Sequence, residues 1–179
     1  MASNLAVTNP IPTVLNNAVV YKDGERQLGT ATVELPSFEQ MTESVSGLGI
    51  AGEVEVPVVG HFNSMTVKIT WNTVTVNSME LLEPIAHHLD IRADLQDHDP
   101  GTGTYQHRAA KLIVRGTPKT NSLGKLEPGK KMEGETELEV SYLKLSIGGF
   151  EVVELDKFNF IFRVNGDDVL NEVRSNLGM

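Results

Sequence analysis

Two clusters of histidine and aspartate residues are candidate metal ligands. The first is His87, His88 and Asp90, and the second is Asp97, His98 and Asp99. Adjacent histidines point about 100° apart on a helix, and the HExxH spacing of a zinc site is missing. The second cluster lacks the DxDxDG spacing with a later glutamate that a calcium loop requires. We therefore expect solvent-facing histidines and a solvated turn rather than a metal site.

A glycine-rich stretch has the formal spacing of a dinucleotide-binding loop at Gly47, Gly49 and Gly52. That loop requires a buried strand before it, a helix after it, and an acidic residue about 20 positions later. Here the residues after Gly52 alternate as a strand, and Asn72 occupies the later position. We expect no cofactor.

Composition narrows the class of function further. The chain has 179 residues, 40% of them hydrophobic, which suits a single globular domain (1–179). It has no cysteine, and its net charge of -9 argues against a module that grips nucleic acid by its phosphates. No apolar run of about 18 residues predicts a membrane span, and no signal-peptide pattern is present. No catalytic constellation stands out, so we predict that the protein is not an enzyme.

Hydrophobic periodicity predicts a mainly β protein. Two-residue alternation predicts strands at 17–21, 27–35, 61–76 and 104–117. A stripe formed by Leu81, Ile85 and Leu89 predicts a flanking α-helix at about 78–92, with Asn77 and Glu80 resembling a capping box. A short C-terminal helix is expected at 169–177, ended by Gly178.

Residues 133–166 are predicted to form two long strands joined by a tight turn at Gly148-Gly149. The alternation changes phase near Tyr142, after Leu155, and also after Trp71. A phase change indicates either a bulge or a change of the buried face. Two interpretations stay open: an ordinary bulge in a monomer, or strands that serve their own core at one end and a neighbouring subunit at the other.

Two surfaces are candidates for function. The connection 37–60 is too apolar for a disordered loop and is expected to contact a partner through Phe38, Met41, Val45, Leu48 and Ile50. A row of acidic residues precedes the turn of the long hairpin and forms either a solvated face or a surface that repels a polyanion: Glu133, Glu135, Glu137 and Glu139.

The order and spacing of residues over most of the chain resemble the major tail tube proteins of contractile-tailed bacteriophages. The N-terminal half matches at 14–17, Leu35-Pro36, the glycine loop with 54–57, and 64–71. The C-terminal half carries the larger set: Tyr142, Lys144, Leu145, Gly149, Glu151, Glu154, Asp156, Asn159, Val164, Asn165, Gly166, Asp168, Arg174, Leu177 and Gly178.

This resemblance implies a sandwich- or barrel-like tail tube fold whose long strands join a β-barrel between subunits. It implies hexameric rings, stacked into a hollow tube through the 37–60 loop, with an acidic lumen face at 133–139 and an N-terminal arm at 1–12. The implied partners are further copies of the chain, a sheath protein, baseplate and tail terminator proteins, and a tape measure protein in the lumen. DNA would pass through without specific binding, and the protein would be assembled in the host bacterial cytoplasm and reside in the virion tail.

Other functions stay open from the sequence. The chain could form the tube of a DNA-free contractile bacteriocin or of a type VI secretion system. A carbohydrate-binding β-sandwich is a weaker alternative, because one tryptophan and three tyrosines offer few rings for stacking on sugars.

Overall fold

The computed structural model describes residues 10–29 and 31–179 and shows a mainly β protein, as predicted. Its strands are β1 (Ile11–Lys22), β2 (Arg26–Gln27), β3 (Ala31–Glu34), β4 (Gln40–Ser46), β5 (Glu53–Phe62), β6 (Thr66–Trp71), β7 (His87–Asp99), β8 (Thr104–Ser122), β9 (Gly134–Ile147), β10 (Phe150–Asp156), β11 (Ile161–Val164) and β12 (Asp167–Asp168). Its helices are α1 (Val76–Met79), continued by a 3-10 turn at Glu80–Leu82, and α2 (Asn171–Leu177).

The strands form one large antiparallel sheet and one separate hairpin. The main path runs β12-β11-β10-β9-β8-β7-β1-β2, and β6, with β3 on its far side, pairs with the first half of β9. Strands β4 and β5 pair only with each other among the described residues. Within the described residues, the main path of this sheet ends at β2 and β12 and does not close on itself.

Strand β9 is the centre of this sheet, because three strands pair with it. Strand β8 pairs along one edge, while β6 and then β10 share the other edge. The register against β8 shifts at two points. Lys119 is an extra residue in β8 between Pro118 and Thr120. At the other point Gly116 lies opposite Val140 and Arg115 lies opposite Tyr142. Ser141 is therefore an extra residue in β9, which is a β-bulge. The phase change predicted near Tyr142 is confirmed, and it arises within a single copy of the chain.

The bulge keeps one face of β9 in the core along its whole length. Leu138 and Val140 are buried before Ser141, and Leu143 is buried after it. They join a single hydrophobic cluster with alternate residues of neighbouring strands: Met65, Val67, Ile69, Trp71, Leu89, Ile91, Leu112, Val114 and Leu155, completed by Val20, Leu28 and Leu81. In this cluster the Trp71 Nε1–H donates to Thr136 Oγ1 at 2.9 Å, so the buried indole has a polar partner.

The predicted helix at about 78–92 is wrong over most of its length. Helical structure ends at Leu82, and β7 begins at His87. Pro84 explains the break, because proline removes a helical N–H and restricts the residue before it to extended conformations. The capping box is also displaced: Thr75 is the N-cap, and its side chain and that of Ser78 bond reciprocally to the backbone.

The other two phase changes mark strand ends rather than bulges. Strand β10 stops at Asp156, a turn follows, and β11 starts at Ile161, so the predicted long second strand is two strands. Strand β6 likewise ends at Trp71. The Gly148-Gly149 turn is confirmed, with φ of +59° and +85°, as is the C-terminal helix with Gly178 at φ +75°.

The predicted N-terminal arm (1–12) falls mostly on residues 1–9, which lie outside the described residues; Ile11 and Pro12 already belong to β1. Among the described residues, no helix has the length and apolar character needed to cross a membrane.

We predict that Gly116→Ala destabilises the fold by about 1–3 kcal/mol, the range for overpacking a tight site. A Cβ at this buried position would lie 2.8 Å from the Glu139 carbonyl oxygen, directly beside the bulge. Urea denaturation followed by fluorescence of the single tryptophan, Trp71, measures the change. The exposed neighbour Thr117→Ala is the control and should change stability by less than about 0.5 kcal/mol; equal effects of the two substitutions would contradict the steric argument.

Candidate assembly surfaces

The β4–β5 hairpin is anchored to the body at its root by aromatic contacts. The Phe62 ring lies 5.9 Å from Phe38 and 5.0 Å from Phe162, both nearly edge-on. The Asn63 N–H donates to the Glu39 carbonyl at 2.9 Å. At Gly60, where φ is +75°, the backbone lies so close to Leu170 that a Cβ would be 2.5 Å from the leucine side chain. The root of the hairpin is therefore packed against the body, whereas β4 and β5 beyond it pair only with each other among the described residues.

The hairpin beyond its root has one apolar and one polar face. Cross-strand register puts Val45 opposite Val54 and Glu43 opposite Val56 on one face. On the other face Ser44 lies opposite Glu55, and Ser46 lies opposite Glu53. Both strands are exposed up to Val59. A two-stranded hairpin is marginally stable alone, and an uncovered apolar face favours a partner surface.

The tip of the hairpin is a glycine-rich turn that holds two apolar side chains in solvent. Gly47, Gly49 and Gly52 have φ of +154°, +95° and +125°, and no atom lies within 4 Å of a Cβ built on any of them. Leu48 is fully exposed and Ile50 is 41% exposed. The structure thus places Val45, Leu48 and Ile50 on the projecting part and Phe38 at the root, with Met41 between them, all of them exposed.

Strand β1 provides an open sheet edge that the sequence did not reveal. Its inner side pairs with β7 from Ile11 to Lys22. Its outer side pairs with β2 only at Tyr21 and Lys22 within the described residues. Ile11, Val14 and Leu15 are each more than half exposed. A long unpaired edge with apolar side chains is a template for pairing with another chain.

The predicted acidic row is partly neutralised in the fold. Glu135, Glu137 and Glu139 alternate along β9 on the face opposite the core, whereas Glu133 lies before the strand and is exposed. Lys68 lies 2.9 Å from Glu135, and this hydrogen bond, followed by Coulomb attraction, raises the lysine pKa. Burial alone would raise the pKa of Glu139, but hydrogen bonds from Ser64 and from the Met65 N–H outweigh burial and lower it.

The same face continues past the Ser141 bulge as a network of ion pairs, which we name the polar face. The bulge resets the alternation, so that Glu139, Tyr142 and Lys144 all face away from the core. Four pairs join adjacent strands: Lys111 with Asp90 at 3.0 Å, His107 with Asp94 at 2.7 Å, Lys144 with Glu151 at 2.5 Å, and Arg163 with Glu154 at 2.8 Å. Within β7, Arg92 also pairs with Asp90 at 2.9 Å.

The histidine and aspartate clusters do not converge on a common point. His87 is buried rather than solvent-facing, and its Nε2 lies 3.0 Å from the Glu83 carbonyl. Asp97 pairs with Arg108, and Asp99 accepts hydrogen bonds from the Gly101 N–H and the Thr102 hydroxyl. No group of three or more histidine or acidic side chains in the described part of the chain is arranged to hold a metal ion.

We predict that Gly60→Ala costs about 2–4 kcal/mol of stability, because it combines left-handed strain with overpacking against Leu170. Gly49→Ala is the matched control: it has the same kind of strain, with φ +95°, but open space around the Cβ. It should cost about 1–2 kcal/mol at most. Chemical denaturation measures the free energy of unfolding of both variants. If Gly60→Ala were no less stable than Gly49→Ala, the close packing of the root against Leu170 would be contradicted.

We also predict that Tyr142 titrates well above the usual range of a tyrosine. Burial, then the hydrogen bond that its hydroxyl donates to Glu154, raises the pKa of Tyr142 to about 12. Because this folded-state pKa lies above the usual value of about 10, the stabilisation is complete below pH ~10 and is lost as pH rises towards 12. Ultraviolet titration of tyrosinate checks this. The step near pH 12 should be absent in Tyr142→Phe, and a step near pH 12 that persists in this variant would contradict the assignment.

The chain was compared with known proteins. A family described as phage tail tube protein FII matches residues 12–178. The tail tube protein of Escherichia phage P2 is 25% identical over 179 residues, an alignment that covers 94% of this chain and 99% of that relative. Since the family match spans nearly the whole chain, the protein belongs to the phage tail tube protein FII family.

Proposed function

We propose that copies of this tail tube protein form hexameric rings that stack into the hollow inner tube of a contractile tail, through which DNA is ejected into the host. The observation that carries the proposal is the free-standing β4–β5 hairpin. It leaves an ordered root, keeps an apolar face in solvent, and pairs with no other strand of the described chain. Such an element is stabilised when another copy covers it.

The open edge of β1 supports lateral assembly within a ring. Pairing this edge with a free edge of a neighbouring copy would extend the sheet and cover Ile11, Val14 and Leu15. A head-to-tail contact of this kind closes into a ring when the rotation between copies allows it. Closing the sheet around a ring also removes exposed edges, which is the advantage of a barrel.

The polar face is suited to line a channel for DNA. Five of its cations, Lys68, Arg92, Lys111, Lys144 and Arg163, each lie within 3.0 Å of a carboxylate oxygen, and Arg115 packs over the Tyr142 ring at 5.2 Å. A phosphate backbone gains affinity mainly by exchanging counterions for free protein cations. We therefore assign the lumen to this face, including Glu135, Glu137 and Glu139 and, just before β9, Glu133. The negative net charge of -9 opposes retention of DNA as well.

The remaining partners follow from the position of such a tube in a virion. A sheath protein would surround it, baseplate and tail terminator proteins would bind its two ends, and a tape measure protein would occupy the lumen during assembly in the host cytoplasm.

We predict that the purified protein forms rings or long tubes as its concentration rises. Exposed apolar strands make association more favourable than isolation once the translational entropy cost is met at high concentration. Negative-stain microscopy and sedimentation velocity measure the outcome. A monomer at every concentration would contradict the proposal.

We predict that deleting Ser44–Gly52 leaves the body folded but abolishes stacking, because the removed residues include the whole tip and Val45 of the apolar face. Val45→Thr with Val54→Thr should weaken stacking while keeping strand-forming side chains. Val76→Thr, at an 81% exposed valine outside the hairpin, is the control and should stack normally. Undiminished tube formation by the deletion variant would show that the hairpin does not join the rings.

A further inference from the structure

The hairpin root and a lysine-bearing loop lie at opposite ends of strand β6. The root adjoins the start of β6, where the Asn63 N–H bonds to Glu39. Beyond the end of β6, the Asn72 carbonyl accepts a hydrogen bond of 2.8 Å from the Met132 N–H, which belongs to the connection between β8 and β9. Six strand residues separate these points, which corresponds to about 20 Å.

The lysine loop, residues 123–132, combines unpaired positive charge with exposed apolar side chains. Lys125 and Lys131 form no ion pair with any described residue, while every other lysine lies within 3.8 Å of a carboxylate oxygen. Leu123 is 60% exposed and Leu126 is 85% exposed. The loop closes on itself through a bond of 2.7 Å from the Lys125 N–H to the Met132 carbonyl.

The hairpin has the complementary chemistry. It contains four glutamates and no lysine or arginine: Glu39, Glu43, Glu53 and Glu55. None of the four forms an ion pair with a described residue. The hairpin also exposes Leu48 at its tip, while the lysine loop has an open groove lined by Leu126, Pro128 and Met132, with Glu127 and Lys130 beside it. One surface is apolar with acidic neighbours and the other is apolar with basic neighbours.

We propose that the lysine loop of one copy is the docking site for the β4–β5 hairpin of the next copy along the tube. This inference rests on the proposed stacking and adds its acceptor surface. The two surfaces lie at opposite ends of β6, so their contact is head-to-tail, and a head-to-tail contact that does not close generates an open filament. Burying apolar side chains would supply most of the affinity, and the charges would set orientation and exclude a head-to-head arrangement.

Charge reversal tests the pairing with two variants that should each fail alone and succeed together. The first, Glu43→Lys with Glu53→Lys and Glu55→Lys, carries a basic hairpin, because three of its four glutamates become lysines, and a basic loop. The second, Lys125→Glu with Lys131→Glu, carries an acidic hairpin and an acidic loop. Each variant alone should need a protein concentration about tenfold higher than wild type to form tubes, since like charges then face each other. An equimolar mixture should restore tubes near the wild-type concentration, because rings of the two variants can alternate and every contact between unlike rings joins opposite charges.

The control matches the charge change of the first variant at another place. Glu25→Lys with Glu83→Lys and Glu172→Lys alters three exposed glutamates outside the hairpin by the same amount and should form tubes at the wild-type concentration. All substituted side chains are exposed, and thermal melting of each variant verifies that the body is folded.

The outcomes separate this inference from the proposed function. Wild-type protein that never forms tubes contradicts the proposed function itself. Wild-type tubes combined with a mixture that stays unassembled overturn the docking site, as does a loop variant that assembles alone like wild type, because the loop then faces a different partner. Equal loss in the control would assign the effect to net charge and would also overturn the docking site.

Discussion

The two-residue periodicity of strand β9 is the constraint on which the rest of the fold depends. This strand must pair with β8 along one edge and with both β6 and β10 along the other, and it must keep one face in the core throughout. Without an extra residue, strict alternation would continue after Val140, and Leu143 would lie on the face opposite the core. Ser141 supplies the extra residue, and the buried series continues from Val140 to Leu143. Because the core face is continuous, the opposite face is continuous too, and it becomes available for charge.

The sequence determined the elements whose signals are local. The Gly148-Gly149 turn could be predicted because its backbone has positive φ, which glycine adopts without steric cost. The buried side of β6 followed from plain alternation, and Gly178 marked the end of α2. The apolar character of residues 37–60 identified a projecting element, although not its form. The alternation after Gly52 was visible in the sequence, but the pairing of this strand with 40–46 was not, because the glycine-rich tip separates the two strands.

Elements decided by distant partners could not be predicted in this way. Residues 77–92 contain a plausible helical stripe, and they also contain the start of an alternating strand at Leu89, Ile91, Ala93 and Leu95. Strand β7 pairs with the long strand β8 along its whole length, and this pairing selects the two-residue strand period over the helical period. The sequence of β7 alone does not contain this information, because β8 is a separate segment of the chain. The ion pairs of the polar face are hidden for the same reason. Lys68 reads as an isolated charge until β6 is placed beside Glu135 of β9.

The surface has two kinds of charged region. In one, the cations are paired with carboxylates of the same chain, and in the other they are free to bind another molecule. On the polar face, most lysine and arginine side chains are paired with carboxylates of the same chain, and Arg115 packs over the Tyr142 ring, so the face is highly charged and yet offers a polyanion little to bind. In the lysine loop, Lys125 and Lys131 have no such neighbour among the described residues, and their charge remains available to another molecule. A chain with a net charge of -9 that leaves two lysines unpaired beside exposed leucines has, at that place, a surface suited to the acidic hairpin of a further copy. Lysine thus occurs both on a face that offers DNA few free cations and in a loop with free cations for another copy. This difference arises from strand register rather than from composition.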